Sequence, residues 1–459
     1  MGQIFLMACG RGNLHHDDPN QQQLRRTLQL VCKDWQRFVI NDVALWNVLD
    51  LRIAPPDHDA DARTPVSLPA ADSWLRRARS WLRHAAHCPI SLDLLISSCA
   101  AEEAVELRGR IFNFLSAYRF KALSIVTFIP SMLDLNEFAR SLLDVETLSL
   151  TASTPLPRPI HLFSHRLPFS SLKSLVLHVD IGNTYENLLS IFPWDQLHKL
   201  LLTVTGHLEL AADILRRCTS LVDCTISIRQ GRMTFITLEN ITFPCLQHLT
   251  IDNDAITSAT NAIVQSIVAP NLKSLEIFCL HPSATPISDA VETLARQSGF
   301  HKSLRKLVIR NLRGAMNPGN LLEFMPSLRV LKVSGRAVVG EETLSLLANG
   351  SLGPRLEKVR FSGCGIRPDA LLDMVEDRQI NADKEGSGNV VTSFARVSLR
   401  FRHSQVTDEH WERVARLRDE YGIYMIMDEG SNGVFSGSDD NEGDEADVVS
   451  EDESGDDLE

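Results

Sequence analysis

The sequence predicts an α/β fold of repeated strand–helix units, and three observations support this prediction. The first is a pattern in which apolar residues occupy the first, fourth and sixth positions of a short segment. The first positions of its eleven copies are Phe120, Val145, Leu172, Leu197, Leu221, Leu246, Leu272, Leu304, Leu328, Leu356 and Phe394. Most consecutive copies are 24 to 28 residues apart, within the roughly 20–29 residues of a leucine-rich repeat.

The segments between the copies supply the other two observations. Several carry apolar residues at helical spacing, and the residues that share one face of such a predicted helix are Leu208, Ala211, Ile214 and Cys218. A proline stands two residues before the first apolar position in four copies, at Pro244, Pro270, Pro326 and Pro354. Because proline cannot continue a helix, it marks the return of the chain to the next strand.

A unit of one strand and one helix cannot bury its apolar strand face alone. Stacked units bury a continuous core and align their strands as a parallel sheet on the inner side of a curved solenoid. We therefore predict a right-handed α/β leucine-rich-repeat solenoid over residues 119–427. Leucines also recur by chance in a leucine-rich chain, but eleven near-periodic copies with shared prolines argue against chance.

The residues before the repeats predict a smaller, helical unit and a connector. Apolar residues spaced by three and four indicate an amphipathic helix, and they are Leu24, Leu28, Val31, Trp35 and Phe38. The alternation of Leu49, Leu51 and Ile53 is typical of a strand. Residues 52–118 form the predicted connector, with an amphipathic helix over 72–87 and a first strand over 90–96.

The charge of the chain is concentrated at its C-terminal end. The net charge is −12, but residues 428–459 contain 14 Asp or Glu and no Lys or Arg. The other residues carry 46 basic and 44 acidic side chains, which gives no argument for nucleic-acid binding. With almost no apolar content, residues 428–459 predict a disordered acidic tail.

The cysteines and the hydropathy bear on the compartment. Nine scattered cysteines without a Cys-x-x-Cys pair favour free thiols over a disulfide framework. The sequence contains no run of 18 apolar residues, so it predicts no membrane span. Its N-terminus has no basic region typical of a signal peptide. We expect an intracellular protein, cytoplasmic or nuclear or both, with no membrane partner.

The N-terminal helix and the residues after it resemble a known family. Leu30-Val31-Cys32-Lys33-Asp34-Trp35, then Ala44-Leu45-Trp46 and Leu49-Asp50-Leu51, resemble the second half of an F-box of the F-box-like type. The segment Trp74–Leu94 also looks like the helix and strand that follow such F-boxes. With the downstream repeats, nearly the whole chain resembles an F-box/leucine-rich-repeat protein, with a small all-α F-box-like segment over residues 1–51.

This resemblance implies a non-catalytic role in ubiquitin transfer. It implies that the F-box docks on the Skp-type adaptor of a cullin-RING, SCF-type E3 ubiquitin ligase, while the repeats bind the target protein. Carried over by position, the adaptor-binding residues are Ile4, Phe5, Leu30, Val31, Trp35, Leu45 and Trp46. The family's usual Leu-Pro pair has no room before Ile4, so we expect either an earlier start or a clipped F-box with weakened adaptor binding. A repeat scaffold without ligase association is the alternative.

Alternation along the predicted strands places basic side chains on the inner face of the late repeats. They are Lys306, Arg310, Lys332, Lys358, Arg360, Arg396 and Arg400. Earlier repeats place mostly hydroxyl-bearing and acidic residues there. The basic residues fit an acidic or phosphorylated protein substrate, and the alternative is a solvated face that serves solubility.

The acidic tail has two interpretations. It either solubilises the chain without a fixed contact, or folds back onto the basic residues of the late repeats. Three serines precede an acidic residue by three positions, a pattern that acidophilic kinases favour, and they are Ser436, Ser450 and Ser454.

Patterns typical of enzymes are weak. The sequence contains no phosphate-binding glycine loop and no nucleophile-elbow motif, so we expect no catalytic residue and no cofactor. His15-His16-Asp17-Asp18 lacks further ligands at metal-binding spacing, so we expect no metal site. An enzyme with its own active site is the third and weakest hypothesis.

Overall fold

Fourteen strands form one parallel sheet that runs through the protein. The computed structural model describes residues 47–53, 66–85, 88–99, 102–128, 135–152, 169–178, 185–205, 208–229, 238–253, 259–279, 287–383, 391–402 and 406–430. The strands of the large sheet, in spatial order, are β1 (Val48–Ile53), β2 (Ile90–Ile96), β3 (Phe120–Thr127), β4 (Thr147–Ala152), β5 (Ser174–His178), β6 (Lys199–Thr205), β7 (Asp223–Arg229), β9 (His248–Asn253), β11 (Ser274–Cys279), β12 (Lys306–Met316), β13 (Val330–Ala337), β14 (Lys358–Ser362), β15 (Arg396–Arg402) and β16 (Tyr424–Gly430). Two short strands, β8 (Ile241–Thr242) and β10 (Ile267–Val268), pair separately.

Helices connect most neighbouring strands. They are α1 (Leu68–Leu82), α2 (Ala104–Leu115), α3 (Tyr185–Ile191), α4 (Leu208–Arg217), α5 (Ala259–Ser266), α6 (Ile287–Ser298), α7 (Pro318–Leu322), α8 (Glu341–Ala348), α9 (Pro368–Asp383) and α10 (Asp408–Tyr421). Four 3-10 segments accompany them, at Arg83–Ala85, Leu135–Leu142, Trp194–Gln196 and Phe300–Lys302. Within the described ranges, no helix has the length and hydropathy that crossing a bilayer requires.

Glycines in the left-handed region end two of these helices. Gly299 follows α6 with φ 64°, and Gly422 follows α10 with φ 66°. Residues with a Cβ adopt this conformation reluctantly, so glycine is the favoured residue at both turns. The turn at Gly422 sends the chain directly into β16.

The core lies between the sheet and the helices. Alternate residues of each strand are buried, as Leu275 and Ile277 are in β11, while Glu276 between them is partly exposed. Leu249, Leu275, Leu307 and Leu331 are in register on four adjacent strands, and all belong to one hydrophobic cluster with the buried faces of the helices. Stacking therefore makes one continuous buried layer from the repeated apolar positions.

The α/β class and the strand positions of the repeats are confirmed. Each of the eleven predicted apolar segments leads into a strand of the large sheet, and the sequential strand order is compatible with a solenoid-like repeat. The leucine-rich-repeat assignment, its handedness and the domain boundaries remain predictions.

At the two ends of the sheet, the structure contains elements that the sequence predicted only in part. Strands β1 and β2, predicted before the repeat region, pair in parallel with each other, and β2 pairs in parallel with β3. The helix predicted over 72–87 begins earlier, at Leu68, with Pro69 in its first turn, where the missing proline N–H costs no helical hydrogen bond. Strand β16 was not predicted, and it includes Asp428 and Glu429, which had been assigned to the acidic tail. Its backbone hydrogen bonds to β15 do not depend on those side chains.

Candidate protein-binding face

Six basic side chains of β12–β15 occupy strand positions that alternate with core residues. In β12, Lys306 and Arg310 flank the buried Leu307 and Ile309. The same alternation places Lys332 of β13, Lys358 and Arg360 of β14, and Arg396 of β15 on the surface opposite the core. For Arg400 the structure defines only the backbone position, in register with Ser362. These seven residues are called the basic face below.

The register brings four of these cations into a compact block. Lys332 is in register with Arg360, and Lys358 is in register with Arg396. Neighbouring strands are about 4.8 Å apart, and Lys358 and Arg360 are two residues apart on one strand. Like charges at directly opposed positions destabilise a sheet. The register therefore concentrates positive charge in one part of the sheet.

The sequences of β12–β15 strengthen the positive potential of this surface. The four strands contain no Asp or Glu along their described lengths. Acidic residues lie on the strands at both borders: Oε1 of Glu276 in β11 lies 2.8 Å from Nζ of Lys306, and Asp428 of β16 is in register with Arg400. Lys306 is thus neutralised within the protein, and it contributes less to an anion site than its sequence position suggested.

Two arginines at the borders of the basic face stack on aromatic rings of neighbouring strands. The guanidinium carbon of Arg310 lies 5.0 Å from the ring centroid of Phe278, and that of Arg396 lies 4.9 Å from the ring centroid of Tyr424. Stacking fixes the plane of a guanidinium and leaves its edge N–H groups to donate to a carboxylate or phosphate. Tyr424 is 56% exposed, so this pair is accessible to a ligand.

Tyr424 was missed by the sequence analysis because β16 was not predicted. The signal was present: Gly422 ends a helical pattern, and Ile423, Met425 and Met427 then alternate. Ile423 and Met425 are buried, which fixes the orientation of Tyr424 on the opposite side of the strand.

The central strands present a surface with balanced charge. Acidic groups there have basic partners: Asp223 Oδ2 lies 2.8 Å from Lys199 Nζ, and Asp252 Oδ2 lies 3.9 Å from Arg229 Nη2. His178 hydrogen-bonds to Thr203, and burial together with Arg229 lowers its pKa below the ordinary value, against the opposing effect of Asp252. The central strands therefore carry both signs of charge, whereas the described residues of β12–β15 carry only basic ones.

A cavity of about 800 Å³ lies between α1 and α2, away from the basic face. Leu75, Arg76, Arg79 and Glu103 contribute to its lining. Arg110 at its edge donates hydrogen bonds to Asp72 and Glu106, which raise the pKa of its guanidinium. Arg110 is therefore paired with carboxylates of the protein itself.

Two cysteines and the possible metal ligands are the remaining reactive groups of interest among the described residues. Burial raises the pKa of the Cys218 thiol to about 12 and that of Cys364 to about 11, so both stay protonated near neutral pH. Across the described ranges, no cluster of three His, Cys, Asp or Glu side chains has an arrangement that could hold a metal ion.

Two predicted sets of sites lie outside the described residues. They are the adaptor-binding residues between Ile4 and Trp46 and the candidate phosphorylation sites Ser436, Ser450 and Ser454. Comparison of the chain with models of known protein families and with curated proteins gives no match.

Proposed function

We propose that the protein is the substrate-recognition subunit of a cullin-RING, SCF-type E3 ubiquitin ligase. In this proposal, the F-box-like segment docks on the Skp-type adaptor, and the sheet binds an acidic or phosphorylated protein target. The resemblance of Leu30–Trp35 and Ala44–Trp46 to an F-box supports the docking role. The strand–helix order along the chain supports a leucine-rich-repeat solenoid as the substrate-binding part.

The observation that carries the binding role is the block of Lys332, Lys358, Arg360 and Arg396. Two pairs of cations in register form a surface that a carboxylate or phosphate neutralises through charge-assisted hydrogen bonds. The stacked guanidinium of Arg396 adds a rigid donor edge at the border of the block.

The mechanism requires no chemistry from this chain. Binding the adaptor at one end and the target on the sheet raises the local concentration of target lysines near the charged conjugating enzyme. The rate of ubiquitin transfer then depends on how long the target stays bound and how it is oriented.

A pull-down with the Skp-type adaptor tests the ligase assignment. The unaltered chain should retain the adaptor, and Trp35→Ala should reduce retention at least tenfold. Trp411→Ala is the matched control, because Trp411 lies on α10 and is 40% exposed. Loss of retention in the Trp411→Ala control, or equal retention by all three chains, would contradict docking through Trp35.

The second candidate function is a repeat-based binding scaffold without a ligase. The basic face favours it equally, because all seven residues of that surface lie between positions 306 and 400, outside the F-box-like segment. Failure of the unaltered chain to retain the adaptor, combined with binding of an acidic peptide, would select this function.

A further inference from the structure

We infer that the acidic C-terminal segment of the chain, residues 439–459, occupies the basic face and competes with the acidic partner. This inference rests on the proposed role of the basic face in binding anionic proteins. It adds a regulatory element to that site, because a target must displace the segment before it binds.

Charge complementarity is the first argument. Residues 439–459 contain 12 Asp or Glu and no Lys or Arg, whereas the rest of the chain is nearly neutral. Strands β12–β15 carry the opposite composition, with basic residues and no acidic ones. The central strands carry acidic residues of their own, Asp223 and Asp252, and therefore match a polyanion less well in charge.

The acidic segment is attached close to the basic face. The chain leaves the sheet at Gly430, the last residue of β16, which is the strand next to β15. At a spacing of about 4.8 Å per strand, β12 lies about 19 Å from β16. Residues 431–438 span up to about 27 Å when extended. The first acidic residue after them, Asp439, therefore reaches every strand of the basic face.

The strand register places an acidic residue at the border of the basic face. Asp428 of β16 is in register with Arg400 of β15, so the chain carries acidic residues from this strand onward. A short tether also gives the segment an effective concentration in the millimolar range. Weak contacts in trans then become substantial occupancy within one chain.

Phosphorylation offers a way to adjust this competition. Ser450 and Ser454 lie within the acidic segment and precede Glu453 and Asp457 by three residues. Each phosphate adds close to two negative charges and three acceptor oxygens. We expect modification of these serines to tighten the intramolecular contact and to weaken target binding further.

The test compares two labelled probes on matched chains. One probe is a peptide with the sequence of residues 439–459, and the other is an unrelated poly-glutamate of equal length. The chains are the full sequence, a chain that ends at Gly430, and a full-length chain in which the acids of 439–459 are replaced by Asn and Gln. Anisotropy measured at low and high salt reports affinity and its electrostatic part.

The inference predicts a definite order of affinities. Both probes should bind the chain that ends at Gly430 and the chain with the neutral segment, and bind the full sequence at least tenfold more weakly. In the chain that ends at Gly430, Lys358→Glu, Arg360→Glu and Arg396→Glu together should abolish binding of both probes. The same change of charge at Arg76 and Arg77 of α1 and at Arg83 of the 3-10 segment that follows should leave binding within twofold.

The outcomes separate this inference from the proposed function. Equal affinity of the full and shortened chains overturns the inference and leaves the basic face intact. Binding of poly-glutamate without binding of the 439–459 peptide also overturns the inference and leaves the anion-binding role of the basic face intact. Failure of both probes on the shortened chain overturns the anion-binding role itself, and the inference with it.

Zero-length cross-linking gives an independent readout. A carbodiimide joins carboxylates to lysine amines in direct contact, so the full chain should yield links from residues 439–459 to Lys332 or Lys358. The yield in the monomer fraction should not change on dilution. Links confined to lysines outside β12–β15 would contradict the inference.

Discussion

Arg378 shows how one buried side chain organises several segments. It lies in α9, is fully buried, and donates hydrogen bonds to the backbone carbonyl oxygens of Leu347, Gly353 and Thr392 at 2.7, 2.9 and 2.9 Å. Its guanidinium also stacks on Phe394, 4.6 Å from the ring centroid. Burial lowers the pKa of Arg378 to about 10, so the group is still charged at neutral pH. Carbonyl dipoles solvate this charge.

Replacing Arg378 should therefore destabilise the protein strongly. Arg378→Met leaves several buried carbonyl groups without donors, and we expect a loss of about 3–5 kcal/mol in the free energy of unfolding. The loss for Arg378→Lys should be smaller than the loss for Arg378→Met, because an ammonium keeps the charge. It should still be measurable, because an ammonium has three donors and no planar group to stack. Urea unfolding measures both, and a loss below about 1 kcal/mol for Arg378→Met would contradict this account.

Adjacent residues of β9 should respond very differently to truncation. Ile251 is fully buried in the core cluster, and Ile251→Ala should cost about 2–4 kcal/mol. Thr250 lies on the other side of the strand, and Thr250→Ala should change stability by less than about 1 kcal/mol. Similar losses for both variants in urea unfolding would mean that the alternation of this strand is misassigned.

The sequence predicted the alternation of buried and more exposed residues along β9, but it did not predict the burial of Arg378. Alternation with buried leucines is local, so the side of the strand on which Thr250 or Lys358 lies could be inferred directly. Arg378 stands in a charged run, Glu376–Arg378, and resembles an exposed helical residue by sequence. Its burial depends on the loop around Gly353 and on Phe394, which only the fold brings together.

At the scale of elements, α9 and α10 are joined by a network of ion pairs. Nη2 of Arg413 lies 2.7 Å from Oδ1 of Asp373 and 3.0 Å from Oε2 of Glu376, and Arg416 also pairs with Glu376. Nδ1 of His410 accepts from the backbone N–H of Thr407 at 2.9 Å, so His410 carries its proton on Nε2 when neutral and donates to Asp369. Acidic positions of α9 thus match basic positions of α10.

The network predicts a pH-dependent effect of Glu376→Gln. Burial alone would raise the pKa of Glu376, but hydrogen bonds from Arg413 and Arg416 outweigh it and lower the pKa below 4.5. Its stabilising contribution is therefore complete above pH 4.5 and is lost as the pH falls through the lowered value. We expect Glu376→Gln to cost about 1 kcal/mol at pH 7 and to approach the unaltered chain as the pH falls below the lowered pKa of Glu376.

Glu412→Gln is the matched control, because Glu412 is an exposed residue of α10. Chemical denaturation across this pH range should show almost no difference between Glu412→Gln and the unaltered chain. A penalty for Glu376→Gln that stays constant as the pH falls from 7 to below the lowered pKa would contradict the ionic origin of the effect.

At the scale of the whole molecule, the sheet is a continuous stack, and its last strand is structural. Ile423 and Met425, beside and within β16, are 1% and 2% exposed and complete the core at that end. The position of Gly430 therefore separates a structural strand from the acidic residues that follow.

Two truncations test this boundary. A chain that ends at Gly430 should unfold at the same urea midpoint as the full sequence, since it keeps all described strands. A chain that ends at Gly422 loses two buried side chains, each worth about 1.5–3 kcal/mol, and should be destabilised by at least about 3 kcal/mol. Equal stability of the two shortened chains would exclude a structural role for β16.

The sequence by itself determined the α/β class, the positions of eleven strands and the side of each strand on which the basic residues lie. It could do so because the repeated spacing and the two-residue alternation are local properties of the chain. Equivalent positions of successive repeats lie in register, as the four cations of the block do. The tertiary structure alone decided the contacts that do not follow from equivalent positions. It paired Lys306 with Glu276, which is not its register partner, and brought Tyr424 of β16, a strand outside the predicted repeats, against Arg396. These contacts depend on side-chain packing between strands, which no local pattern encodes.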